Sequence, residues 1–353
     1  MTMNKYDRRS FLKIAGAVAA IPAISGIPVL AHAADGESNV VVGTWGGDYQ
    51  RLLQQNIDPL IKGNGLTAVY DSGSALARQT KMRAEKNARR SSLDVSLLRD
   101  NDMYQMFAEA TTVPVDAALV PNLAHVIPAF KRTYAVPHIF SALVLLYNPE
   151  KIKTRPDGMQ AMLDPAYKGR VGVIDDQYDY LTLAGSLASG GGVKDLEAGR
   201  KFLRALKDNA PKVYPSTDAL AAALKSGEIW LTPAWKARAL QWKKAGLSID
   251  YVVPKEGALP ATFEATVAAG SKNRAAAFAY MNAMLNPAAQ RAFAETMGYA
   301  PTIQNAALPA ELQRAVGFTG AEMERMMTID FDLLMKNKNA MLDFWNKEFR
   351  AGL

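Results

Sequence analysis

From Asn39 onward the apolar positions follow two alternating patterns: short β-branched runs, then longer stretches with apolar residues at helical spacing. Val40, Val41 and Val42 predict a buried strand that ends at Thr44-Trp45-Gly46-Gly47. Tyr49, Leu52, Leu53, Ile57, Leu60 and Ile61 then mark one helix face. Residues 66–70 predict a second strand, 75–87 a helix and 93–98 a third strand. A second group opens with a strand over 142–147 and continues with one over 171–174, whose end carries Asp175 and Asp176. Helices are predicted over 180–188, 196–206 and 219–225, the last stopping at Gly227, and residues 230–232 predict a strand that leads to Trp235.

Strands alternating with helices predict an α/β fold. In open α/β sheets, ligands gather beyond the carboxyl ends of strands. Trp45, Arg99 with Asp100, Asp176 and Trp235 stand at four such ends and are the first site candidates. The glycine tract after Ser189 separates two helices and predicts a turn; no phosphate-loop spacing occurs.

The first 33 residues have a different pattern. Asp7-Arg8-Arg9-Ser10-Phe11-Leu12-Lys13 precedes a modestly apolar stretch over 14–30 and then Ala31-His32-Ala33, the order of a signal peptide. Gly16, Pro22, Gly26 and Pro28 interrupt the stretch, which argues against a membrane span. The paired arginines resemble the twin-arginine class of export signals, so the twin-arginine translocase is an expected partner and the periplasm the expected destination.

The chain has no cysteine, which excludes disulfides, thiolate metal sites and a lipobox, and predicts a soluble product with no lipid anchor. With 49% hydrophobic residues over 353, the chain can bury a core divided between two domains. Whole-chain charge is +7, from 41 Lys and Arg against 34 Asp and Glu. The signal carries away Lys5, Arg8, Arg9, Lys13 and Asp7, so the remainder holds 37 against 33 and is close to balanced. The cluster over 86–90 reads as a solvated helix end, and no basic run with interleaved aromatics points to nucleic acid. His125 and His138 lack metal-ligand spacing. A secreted enzyme is the rival class; it is opposed by the lack of a nucleophile elbow, a zinc-binding helix motif or a cysteine nucleophile. Asp176 and Asp179, three apart on one segment, do not form the flanking pair of a glycosidase. The expectation is a non-enzyme without cofactor.

Four segments then carry a resemblance: Thr44-Trp45-Gly46-Gly47-Asp48-Tyr49, Tyr147-Asn148-Pro149-Glu150-Lys151, Asp164-Pro165-Ala166-Tyr167-Lys168-Gly169-Arg170-Val171 and Pro254-Lys255-Glu256-Gly257. In this order they resemble the periplasmic spermidine/putrescine-type solute-binding proteins, over about residues 40–304. The resemblance implies a type II periplasmic-binding-protein fold: two α/β lobes, a ligand cleft between them, and hinge closure. It places lobe 1 at 34–142 and 260–312, lobe 2 at 143–259 and 313–353, and crossing strands near 141–147 and 255–263. It implies a monomer that hands a small-molecule solute to the permease subunits of an ABC importer.

Position by position, the resemblance makes Trp45 an aromatic wall, followed by Asp48 or Tyr49 as polar contacts. Asp176 and Asp179 match carboxylates that hold an amine, Trp235 a second wall, and Tyr299 a polar aromatic at the cleft edge. Rings and carboxylates suit a cation, at about 0.5–2 kcal/mol per ring and roughly 1.5–3 kcal/mol per charge-assisted hydrogen bond. The chain departs from the family at Ala261 and Phe263, where a tryptophan and an aspartate stand two apart. Glu264 substitutes only through a register shift, because the next residue of a strand points to the other face. Arg99 and Asp100 also replace small and aromatic residues, and an arginine fork receives a carboxylate or phosphonate. A smaller amine or zwitterion is therefore expected rather than a long polyamine, with a small anion read by Arg99 as the alternative.

Structural roles compete at each position. Trp45 and Trp235 could serve as core aromatics, Tyr299 as turn packing and Asp179 as a helix-surface acid. Of Asp175 and Asp176, one is expected to cap a helix and the other to bind. Trp242 and Trp345 read as packing residues and Trp230 as core, while Tyr178 and Tyr180 would share a face only in extended chain, as a ferric site requires.

Overall fold

The computed structural model describes residues 38–89 and 91–353; the expected signal, residues 1–33, lies outside them. The strands are β1 (Ser38–Thr44), β2 (Leu66–Ser72), β3 (Val95–Arg99), β4 (Val136–Tyr147), β5 (Gly172–Ile174), β6 (Lys212–Tyr214), β7 (Leu231–Trp235), β8 (Asp250–Val252), β9 (Leu259–Val267) and β10 (Ala300–Pro301). The helices are α1 (Gly47–Asn56), α2 (Asp58–Lys62), α3 (Ala75–Glu85), α4 (Asp100–Ala108), α5 (Tyr178–Ala188), α6 (Leu196–Asp208), α7 (Thr217–Ser226), α8 (Lys236–Lys244), α9 (Arg274–Met284), α10 (Pro287–Met297), α11 (Ala310–Val316), α12 (Gly320–Glu324) and α13 (Phe331–Phe344). No helix among the described residues is long and apolar enough to cross a membrane.

β4 joins the two lobes by changing neighbours along its length. Its first part pairs with β9 and β10, and its last part with β7 and β8. Every residue of β4 is buried, and each fully buried Val or Leu adds about 1.5–3 kcal/mol over exposure, so the crossing is also a core element. β9 runs back antiparallel and continues to β3, β1 and β2. In the other lobe β5 and β6 pair in parallel, and an isolated bridge from Val171 to Leu231 ties them to β7.

Two main cores follow from this division. One gathers Val40, Val42, Leu53, Val95, Phe293 and Val316; the other gathers Leu145, Val173, Leu203, Leu231, Leu334 and Trp345. Val316, at the end of α11, packs into the first core, and Phe318 just after it stacks on Phe140 against the same core.

Three local differences from the sequence expectations have physical causes. The helix face from Tyr49 to Ile61 breaks into α1 and α2, because Pro59 has no N–H to continue the ladder and starts a new helix instead. β4 begins at Val136, six residues before the β-branched signal at 142, since Pro137 and His138 interrupt that signal; the β9 register shifts between Pro137 and Ile139. Trp230 is half-buried rather than core: it precedes β7, donates from Nε1 to the Gly227 carbonyl at 3.1 Å and lies under Arg170.

Candidate functional site

The carboxyl ends of β1, β3, β5, β6 and β7 each lead into a helix, so several helix N-termini border one region. There the molecule opens into a cleft of about 1120 Å³. Helix N-termini carry partial positive charge and favour acids in the first turn. Asp48 of α1, Asp102 of α4, Asp179 of α5 and Asp218 of α7 are such acids, and all four line the cleft together with Asp176. Against these five carboxylates stand Arg99, Arg238 and Lys338, so the cleft is acidic although the chain is basic.

Trp45 follows β1 and is half-buried on the cleft wall. The Arg78 guanidinium lies 4.5 Å from its ring centroid. Arg78 is buried and donates to the carbonyls of Thr44 and Leu97 at 2.8 Å and of Gly73 at 2.7 Å. It thereby ties together the ends of β1 and β3 and the turn after β2. Gly43 makes room for it, since a Cβ there would stand 2.9 Å from Arg78 Cδ. Burial pulls the Arg78 pKa down to about 10, which leaves it charged at neutral pH. Edge contacts then link Trp45 to Tyr49 at 5.2 Å and to Phe263 at 5.6 Å, and Phe263 to Tyr299 at 5.1 Å.

Tyr49 and Tyr299 border the cleft but are buried. The Tyr49 hydroxyl is engaged by His138 Nδ1 at 2.7 Å, and burial lowers the His138 pKa to about 3, keeping that ring neutral. Asp48 sits on the outer rim, paired with Arg51 at 2.8 Å.

On the facing side, Asp179 Oδ2 receives Arg99 Nη2 at 3.0 Å and also the Asn101 amide, while its Oδ1 accepts the backbone N–H of Tyr180. Arg99 Nε donates to Asn101 Oδ1 at 3.0 Å, and the guanidinium lies 5.0 Å from the Tyr180 ring and 6.0 Å from Trp235. Burial opposes the Arg99 charge, but Asp179 and the neighbouring Tyr180, Asp102 and Asp100 outweigh it and raise its pKa. Asp179 is thus spent on internal donors. Asp176 is not: it is exposed to the cleft, and no other side chain among the described residues hydrogen-bonds its carboxylate. The surrounding walls displace enough water to push its pKa up, an effect Asp179 and Asp175 reinforce and Arg99 opposes.

Two of the expected site residues are elsewhere. Glu264 is fully buried, because Phe263 takes the cleft-facing position of β9 and the next residue must point away. Its Oε1 accepts from Thr262 Oγ1 at 2.7 Å and lies 3.6 Å from Arg132 Nε. Burial pushes its pKa up to about 7. Asp100 is also buried, holding the N–H of Thr262 at 2.8 Å and the Tyr180 hydroxyl at 2.9 Å. It joins α4, β9 and α5 behind the cleft. Neither of Asp175 and Asp176 caps a helix: Asp175 accepts from Trp345 Nε1 at 2.7 Å and from Arg350 at 3.1 Å. Tyr178 and Tyr180 lie on a helix rather than extended chain, so they do not share a face.

Residues with no sequence signal for a site also line the cleft: Asn101, Arg238, and one face of α13 with Phe331, Leu334, Met335, Lys338 and Met341. The α13 residues recur at helical spacing, and in sequence a cleft-facing stripe and a core-facing stripe look the same. No group of three His, Cys, Asp or Glu that could hold a metal occurs among the described residues.

Comparison with known proteins adds the family. The profile of bacterial extracellular solute-binding proteins matches residues 57–320. The spermidine/putrescine-binding periplasmic protein of Escherichia coli K12 is 24% identical over 257 residues, 69% of this chain and 72% of its own. The spermidine/putrescine ABC transporter substrate-binding protein PotD from Streptococcus pneumoniae superposes with a TM-score of 0.74 at 21% identity, covering 88% of this chain and 99% of that one. The Atu4243–GABA receptor superposes with a TM-score of 0.78 at 17% identity, covering 90% and 98%. These structures share the two-lobe type II fold described above. With three quarters of its length matched, the chain belongs to the bacterial extracellular solute-binding protein family.

Proposed function

We propose that this protein is the periplasmic receptor of an ABC importer for a small solute bearing an amino group. The observation that carries the reading is Asp176, an accessible carboxylate in an acidic cleft with no side chain spent on it. An ammonium bound there gains a charge-assisted hydrogen bond of roughly 1.5–3 kcal/mol. The aromatic faces contribute less than the sequence suggests, because Arg78 already covers Trp45 and Arg99 stands by Trp235 and Tyr180. A second reading, an anionic group, is favoured by Arg99, whose pairing with Asp179 and Asn101 occupies Nε and Nη2 and leaves one edge of the fork. A zwitterion satisfies both.

Relatives are consistent with this breadth: proteins of this fold include binders of spermidine and putrescine and a GABA receptor. In this reading the twin-arginine translocase exports the chain, the free monomer diffuses without an anchor or cofactor, and the closed form delivers the solute to the permease. Closure brings lobe 1 (34–142 with 260–312 and the rest of α11) toward lobe 2, with β4 and β9 as the hinge. It is a carrier, not an enzyme.

The test is a melting screen over diamines, amino acids, betaines, simple amines and carboxylates. Binding to the folded state stabilises by RT ln(1+[L]/Kd), about 2.7 kcal/mol at a hundredfold excess over Kd. Amine-bearing compounds are expected to raise the melting temperature. A shift with carboxylates alone would instead support the anion reading, and chemical turnover of the bound compound would refute the carrier role.

A further inference from the structure

The cleft extends past its aromatic and carboxylate residues to α13, which lies beyond the segment 57–320 matched by the family. Leu334 and Met341 also belong to the second core and Phe331 packs against it, so packing accounts for their apolar character. Met335 and Leu76 differ. Both line the cleft, and neither belongs to any core of the molecule's described residues. Leu76, in the first turn of α3, is 68% exposed. Exposed apolar side chains grouped beside polar groups mark binding surfaces, and a methionine thioether adapts to irregular apolar shapes.

The same C-terminal segment supports the polar half of the site. Trp345, directly after α13, holds Asp175, the neighbour of Asp176. The charged residue that α13 contributes to the cleft is Lys338, which donates to Gln105 Oε1 at 2.7 Å and repels an ammonium placed beside it. A free carboxylate, uncommitted apolar side chains and a cation thus line one cleft.

We infer that the solute is a monoamine with an apolar or aromatic body: its ammonium sits on Asp176 and its body lies against Leu76 and Met335. The inference rests on the amine-receptor reading and narrows it. Each methylene-sized group moved from water is worth about 0.8 kcal/mol, so an aryl body contributes several-fold to more than tenfold in affinity. Leu76 and Met335 are then specificity residues, and the α13 face separates this site from one built for a linear diamine.

Isothermal titration of the mature protein with ethylamine, putrescine and phenethylamine tests this. The wild type is expected to bind phenethylamine about tenfold or more tighter than the other two. Leu76→Ser and Met335→Ser should each weaken phenethylamine roughly three- to tenfold and always more than they weaken ethylamine, and Met335→Leu should keep the wild-type value. Equal affinity for ethylamine and phenethylamine, or serine variants that leave phenethylamine unchanged, would overturn the inference while amine binding stands. If none of the three amines binds the wild type, the amine-receptor reading itself falls and the inference with it.

Discussion

Asp176 and Glu264 are both carboxylates with raised pKa values, yet their surroundings give them opposite roles. Asp176 faces the cleft and must be ionised to hold an ammonium, so amine affinity is expected to weaken as pH falls through its raised pKa. Asp176→Asn removes that charge and should weaken amine binding roughly 10- to 100-fold in a calorimetric titration, without lowering the melting temperature. Glu264 is buried beside Asp100 and Arg132, and its pKa rises to about 7 from an ordinary 4.5. The folded state therefore holds a proton that the unfolded chain releases. Its contribution to stability is fully present below pH 4.5 and is lost as pH rises through about 7. Glu264→Gln should flatten this fall in a denaturant melt series and be at least as stable as wild type at pH 8. His138 acts in the opposite sense, favouring the folded state above its unfolded pKa and losing that effect as pH falls toward 3, so the Gln variant must be compared with wild type at each pH.

Elements place these residues through close contacts that a sequence pattern shows only in part. α5 carries Asp179 and Tyr178 and is positioned by α6, which approaches at Gly199. A Cβ at Gly199 would lie 2.1 Å from the Thr182 carbonyl oxygen, which is backbone and cannot step aside. Gly199→Ala should cost about 1–3 kcal/mol in chemical denaturation, and more if the helices separate. Because α5 would shift with them, amine affinity should fall as well. β1, β2, β3, α6 and α7 were legible from their apolar runs and, for α7, from the stop at Gly227; the side-chain caps Asp195 and Ser216, which accept from the first turns of α6 and α7, are seen in the structure. The first half of β4 was not, since Pro137 and His138 are poor strand markers and their burial depends on β9 and β10. Trp45, Asp176 and Trp235 were legible as site candidates because strand ends in an α/β fold converge. That Asp179 would be spent on Arg99, and Asp100 on Thr262, depends on partners about 80 and 162 residues away and left no local trace.

For the molecule as a whole, two lobes joined at β4 and β9 leave hinge bending as the available motion. Arg99 to Asp179, Asp100 to Tyr180 and Lys338 to Gln105 all cross between the end of β3 with α4 and the second lobe or α13. These contacts resist opening, as do Gln241 and Lys244 of α8, which donate to the Met297 and Glu295 carbonyls, whereas no such pair among the described residues joins the Trp45 wall to α7. Saturation with solute should therefore lower the radius of gyration in solution scattering, and Lys338→Ala should enlarge the unliganded form. An unchanged scattering profile on saturation would argue against closure. The chain carries a formal charge of +7, yet five carboxylates against three cations line the cleft, so its local field favours a cation over an anion.

The central claim is that the cleft captures an amine-bearing solute on Asp176. Native mass spectrometry of protein purified from its own periplasm, beside Asp176→Asn prepared in the same way, tests it most directly. The wild type is expected to carry a small molecule whose mass and fragmentation show an amino group, and the variant to be empty. A retained compound without an amino group, or equal retention by the variant, would contradict the account.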